Sequence, residues 1–190
     1  MIKRLLINYY ESTIIINLIS KFSVTLLATF TIFSCDKLDE LTEFDITQDF
    51  STSLNVTVIE DSNGTSQTWT ETSTINLETN EEIQTNLDVI QGVKINSLTF
   101  KVINFTGAEG ATATEVSLNF GDTAIAVADI NLEDSNTVYS VGSSLELYTI
   151  ANDLKNTSEI TATSIGTVSS TQVRFDLVIT LDVTTTIDVL

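Results

Sequence analysis

The last strand of the chain limits the possible folds more than any other stretch. Val173, Phe175, Leu177, Ile179, Leu181 and Val183 alternate with Arg174, Asp176, Thr180 and Asp182, and Ile187 and Val189 keep the apolar parity to the C-terminus. Alternation at period two gives a strand one apolar face. At about 3.3 Å per residue, such a strand runs the full length of a sheet. Its apolar face needs a second layer to cover it.

Other segments repeat the pattern. Phe50, Leu54, Val56 and Val58 share a face, with Ser51, Ser53, Asn55 and Thr57 opposite. Glu60-Asp61-Ser62-Asn63-Gly64 reads as a hairpin turn, because Asn-Gly supplies positive φ. The return strand, 65–77, puts Trp69, Ile75 and Leu77 on one parity. Leu98, Phe100 and Val102 continue from Val93 and Ile95 with a switch of parity at Asn96-Ser97, which predicts a bulge. Further strands are expected at Val116–Phe120, Thr123–Ile130 and Ile160–Val168, with a turn at Gly121-Asp122 and an irregular connection over 132–139.

Helices are fewer. Thr79-Asn80-Glu81-Glu82 has capping-box spacing, and Ile83, Leu87 and Ile90 follow at helical intervals. This predicts a helix over 80–91 closed by Gly92. Ser143 and Glu146 repeat the box spacing before Leu147, Ile150, Ala151 and Leu154. The reading preferred there puts Leu145 and Leu147 on a strand and only 150–156 in a helix. The sum is an all-β domain over 50–190. It is expected to be an antiparallel β-sandwich, immunoglobulin-like, of about eight strands with one or two short helices.

The N-terminal third is different. Lys21 precedes about a dozen mostly apolar residues, Phe22 to Ser34, and the chain's single cysteine, Cys35, follows. A basic residue, an apolar run and a small residue before the cut are the layout of a secretory signal. A membrane-spanning helix over 14–33 would place Lys21 at mid-membrane, which is costly. The arrangement resembles a bacterial lipobox, and the resemblance implies that the Cys35 thiol is diacylated and the new N-terminus acylated. Residues 1–34 are then a signal peptide. Lys3 and Arg4 open a second basic-apolar stretch, so either translation starts nearer Lys21 or the signal is long. Residues 35–49 read as an acidic tether with one helical turn.

The stretch from Cys35 to Phe44, Cys-Asp-Lys-Leu-Asp-Glu-Leu-Thr-Glu-Phe, is similar to the start of uncharacterised Bacteroidota (flavobacterial-type) lipoproteins. The early hairpin, the short helix and the Leu98–Val102 strand follow their order. The resemblance implies a lipidated β-sandwich at the outer membrane, and it transfers no activity and no functional residues. Lys37, Asp39 and Glu40 partly match the export signal of surface lipoproteins, and Leu38 interrupts the match. The periplasmic and surface faces both stay open.

Composition narrows the chemistry. Without residues 1–34, Glu11 leaves the 26 acids and Lys3, Arg4 and Lys21 leave the 8 bases, so the net charge becomes −20. Like charge then repels nucleic acid. With no histidine, Ser-His-Asp and Cys-His triads are absent. Carboxylates alone could serve a glycoside hydrolase, a distant alternative. They could also serve calcium, through Glu60-Asp61-Asn63 or Asp129-Asn131-Glu133-Asp134. Neither cluster has EF-hand spacing, and solvated turns account for both, so no cofactor is expected. Arg174 is either an anion clamp or half of a surface ion pair. Trp69 is either an exposed platform for a sugar ring or a core residue. The expectation is a lipid-anchored, non-catalytic envelope module that binds a glycan or a protein, or that assembles with another envelope protein.

Overall fold

The computed structural model describes residues 42–59, 67–134, 137–169 and 172–188. The proposed signal, Cys35, and the turn with Asp61 and Asn63 lie outside them. Among the described residues, nine strands form two antiparallel sheets. They are β1 (Glu43–Val58), β2 (Gln67–Asn76), β3 (Ile90–Thr106), β4 (Thr112–Phe120), β5 (Thr123–Ala126), β6 (Ile130–Asn131), β7 (Tyr139–Val141), β8 (Glu159–Val168) and β9 (Val173–Asp188). Two helices, α1 (Glu81–Thr85) and α2 (Ser144–Thr157), interrupt the series.

One sheet has the order β1-β9-β3-β7 and the other β2-β8-β4-β5, with β6 beside β4. The chain passes from sheet to sheet at every step except β4–β5–β6, which stay in one sheet, and this strand order is that of a jelly roll. The expected antiparallel β-sandwich with two short helices is present, and its strand order is a jelly roll's rather than an immunoglobulin domain's. The expected hairpin between β1 and β2 does not form, because the two strands lie in different sheets. β9 takes β1 as a partner and β8 takes β2 along its whole length.

The core lies between the sheets. Phe50, Leu54 and Val56 of β1, Phe100 of β3 and Phe175 to Val183 of β9 face Ile75, Leu118, Phe120 and Ala162 of the other sheet. Every odd position of β9 from Val173 to Ile187 is buried, as the alternation requires. The bulge expected at Asn96-Ser97 appears as a register shift between Ile95 and Ser97 against β9. Another bulge, between Thr114 and Ser117, carries Glu115 at φ 53°.

Several boundaries move. β1 starts at Glu43, inside the stretch read as a tether, because Phe44, Ile46 and Gln48 extend the alternation. Asn80, not Thr79, caps α1: its Oδ1 accepts from the N–H groups of Glu82 and Ile83 at 2.9 Å. α1 ends at Thr85, and after a 3-10 turn at Leu87–Val89 the chain enters β3. Gly92 therefore lies within a strand instead of closing a helix. β7 begins at Tyr139, the last residue of the connection read as irregular, and runs to Val141. α2 is the fuller of the two readings weighed, since Ser143 Oγ accepts from the Glu146 N–H and the Glu146 carboxylate accepts from the Ser143 N–H.

Candidate functional site

Trp69 is a core residue, 5% exposed. It stands opposite Gly166 on β8, and a Cβ on that glycine would lie 2.1 Å from Trp69 Cη2. The ring covers a glycine that has no side chain of its own to fill the space. Its Nε1–H donates to Ser164 Oγ at 3.2 Å, and it packs edge-on against Phe175 of the opposite sheet, with centroids 5.6 Å apart. An exposed sugar platform at this position is therefore overturned.

Of the two acidic turns, only the one at 129–134 lies among the described residues. Asp129, Asn131, Glu133 and Asp134 are all exposed. Asp134 Oδ1 accepts from the Phe105 N–H at 3.4 Å. Among the described residues, no three acids converge on a point that could hold an ion.

Arg174 lies on the outer face of the first sheet, in register with Thr106. Beside it, Asp176 accepts from Asn104 Nδ2 and Asn55 Nδ2, both at 2.6 Å. These bonds hold its carboxyl below the usual aspartate range, Asn104 contributing most, then Asn55, with a smaller push from the Arg174 charge. The cluster belongs to a row of polar contacts along this face. Thr47 meets Thr184 and Ser51 meets Thr180, each at 2.8 Å. Asn96 Nδ2 donates to Asp182 Oδ1 at 3.0 Å and to Thr184 Oγ1 at 2.9 Å. Such pairs tie β1, β9 and β3 together across the strands.

A groove of about 550 Å³ lies between β3 and α2. Val93, Lys94, Ile95 and Asn96 form one wall, and Ser144, Leu147, Tyr148 and Ala151 the other. The capping box at Ser143 fixes the start of α2, whose Ile150, Ala151 and Leu154 are buried. At its far end Lys155 Nζ donates to the Gln91 carbonyl of β3. Leu145 is 74% exposed and Tyr148 65%. The sequence reading placed Leu145 on a strand, with no binding role, and did not name Tyr148. The signal was an apolar surplus, because a helix with Ile150, Ala151 and Leu154 on its core stripe does not need Leu145 or Tyr148 there.

No family model matches the chain, and no curated protein matches it. Among solved structures it is similar to the decameric capsid protein of BFDV, with 11% identity, a TM-score of 0.39, and 75% of this chain and 99% of that chain covered. Desmodium yellow mottle tymovirus gives 12% identity and a TM-score of 0.30, covering 77% of this chain and 90% of that one. Tobacco necrosis virus gives 14% and 0.26, covering 72% and 95%. Likenesses this distant carry no argument, and the fold rests on the strand order itself.

Proposed function

We propose that the chain is a lipid-anchored, non-catalytic binding module of a Bacteroidota-type outer membrane, and that its ligand is another envelope protein. The observation that carries this reading is the α2–β3 groove, where exposed Tyr148 faces a strand. Burial of Trp69 removes the aromatic on which a glycan reading relied. The anchor follows from Cys35. One myristoyl chain gives marginal binding, and each further buried CH₂ adds about 0.8 kcal/mol, so three chains hold a protein at the membrane durably.

Two measurements test the reading. Cys35→Ser should move the protein from the membrane fraction to a soluble or precursor form; unchanged fractionation and mobility would end the lipoprotein assignment. A photo-crosslinking amino acid in place of Tyr148, activated in intact cells, should give one discrete protein adduct. A glycan adduct, or none, would overturn the protein-binding assignment.

A further inference from the structure

The groove has a property beyond its apolar lining: one wall is a strand with a vacant side. β3 runs from Ile90 to Thr106, and β9 pairs along nearly all of it. On the opposite side, β7 pairs only with Leu98, Thr99 and Phe100. β7 stops there because Gly142 turns the chain at φ 89° and Ser143 starts α2. α2 then runs beside β3, its far end tied to the Gln91 carbonyl by Lys155, and the groove is the space left between them. Four consecutive β3 residues, Val93 to Asn96, therefore line the groove with no strand among the described residues on their side away from β9. Every second N–H and C=O of a strand points to each side, so this edge carries main-chain groups that no described strand pairs.

We infer that the groove accepts an extended peptide segment of a partner protein, which adds as a strand to β3 where β7 leaves off. This rests on the protein-binding reading given above. Main-chain pairing with an open edge supplies affinity, and pockets for alternate side chains supply selectivity. The available edge is about 13 Å long, four residues at strand spacing. Leu147, Ala151 and the Tyr148 ring form the wall that an apolar side chain of the segment would meet. Among the described residues, Lys94 is the only charged one lining the groove. It selects for an acidic residue, and alternation along the added strand separates that acid from the apolar side chain facing α2.

The test uses the full chain purified in detergent and three fluorescein-labelled octapeptides. Each alternates valine and threonine and carries aspartate, glutamine or lysine at its centre. Fluorescence anisotropy should rank the aspartate peptide first, roughly tenfold tighter than the lysine peptide. Lys94→Glu should reverse that order, and Tyr148→Ala should weaken all three. Hydrogen exchange followed by mass spectrometry should show slower exchange at 93–96 on binding and no change in β8. Failure of all three peptides to bind would overturn the inference, as would binding that leaves exchange at 93–96 unaltered. A protein adduct at position 148 combined with unaltered exchange would sink the added strand and leave the protein-binding function standing. Slowed exchange with no protein adduct in cells would do the reverse.

Discussion

Trp69 and Tyr148 are both large aromatics with a polar handle, and they have opposite fates. Trp69 points into the sandwich, over Gly166 and against Phe175. Tyr148 points away from the core on the outer side of α2, at the rim of a groove. The difference lies in what faces each position. A strand residue is committed to one of two faces, and the residue across from it decides how much ring is accommodated. A helix residue outside the apolar stripe has no such commitment. Trp69 therefore belongs to stability, and Tyr148 is left open to the recognition proposed above.

The sharpest way to break that contrast is to remove each ring. Trp69→Ala should cost about 3 to 5 kcal/mol, the usual range for emptying an aromatic site in a core, and it also leaves Ser164 Oγ without its donor. Tyr148→Ala should change stability by less than about 0.5 kcal/mol. Urea midpoints of the two variants measure both effects. Gly166→Ala should cost about 1 to 3 kcal/mol, because the new methyl overlaps the indole. In the double variant the two costs should not add, since the alanine side chain at 166 fits once the indole is gone. Additive costs would show that the ring does not depend on the glycine.

Ser143→Ala sharpens the helix side of the contrast. Removing the capping hydroxyl should cost about 1 kcal/mol and loosen the first turn of α2. Because Ser144, Leu147 and Tyr148 follow directly, crosslinking from position 148 should fall with it. Loss of helix stability with unchanged crosslinking would show that the first turn of α2 is not part of the binding surface.

Strand parity was readable from the sequence because a strand's apolar period is two and the core lies on one side. That is why β1, β9, the shift at Asn96-Ser97 and the Gly121 turn were found. Which strand lies in which sheet was not readable, because β9 pairs with β1 from the other end of the chain and no local signal encodes that choice. The Asn63-Gly64 turn suggested a hairpin for the same reason: turn chemistry gives direction and not a pairing partner. The bulge at Glu115 escaped because a non-glycine residue holds the positive φ. At the candidate site, the Ser143–Glu146 box was visible, but Leu145 and Leu147 also fit a strand. The groove itself was hidden, because it needs β3 and α2 side by side and Gly142 turning the chain off the β3 edge.

A polar side chain on the inner face tests the same division from the other direction. Thr185 is fully buried, and its Oγ1 has no hydrogen-bond partner among the described residues. It stands across from Val93 in the β3–β9 ladder. Burying an unpaired hydroxyl costs about 1 to 3 kcal/mol, and valine keeps its branched shape without it. Thr185→Val should therefore raise stability by about 1 kcal/mol, seen as a higher thermal midpoint. A lower midpoint would show that the hydroxyl has a partner after all.

The smallest expected effect lies on the outer face, at Asp176. Its carboxyl is lowered mainly by the amide of Asn104, then by that of Asn55, with Arg174 adding less. A carboxyl held lower in the fold than in the unfolded chain stabilises the fold above its unfolded pKa, about 3.9. That contribution fades as pH falls through the lower folded value. Asp176→Asn keeps one acceptor but turns an amide donor toward neighbours that are themselves donors. Near neutral pH the variant should lose about 1 kcal/mol or less, because water screens so exposed a group. Below the ordinary aspartate range the gap to the parent should close, since the parent's carboxyl is then protonated too. Urea midpoints of parent and variant measured across that range give the result. A gap that persists in acid would assign the loss to amide geometry rather than to charge. A loss as large as that of Trp69→Ala would mean that the polar contacts joining β1, β9 and β3 support the fold as strongly as the core does.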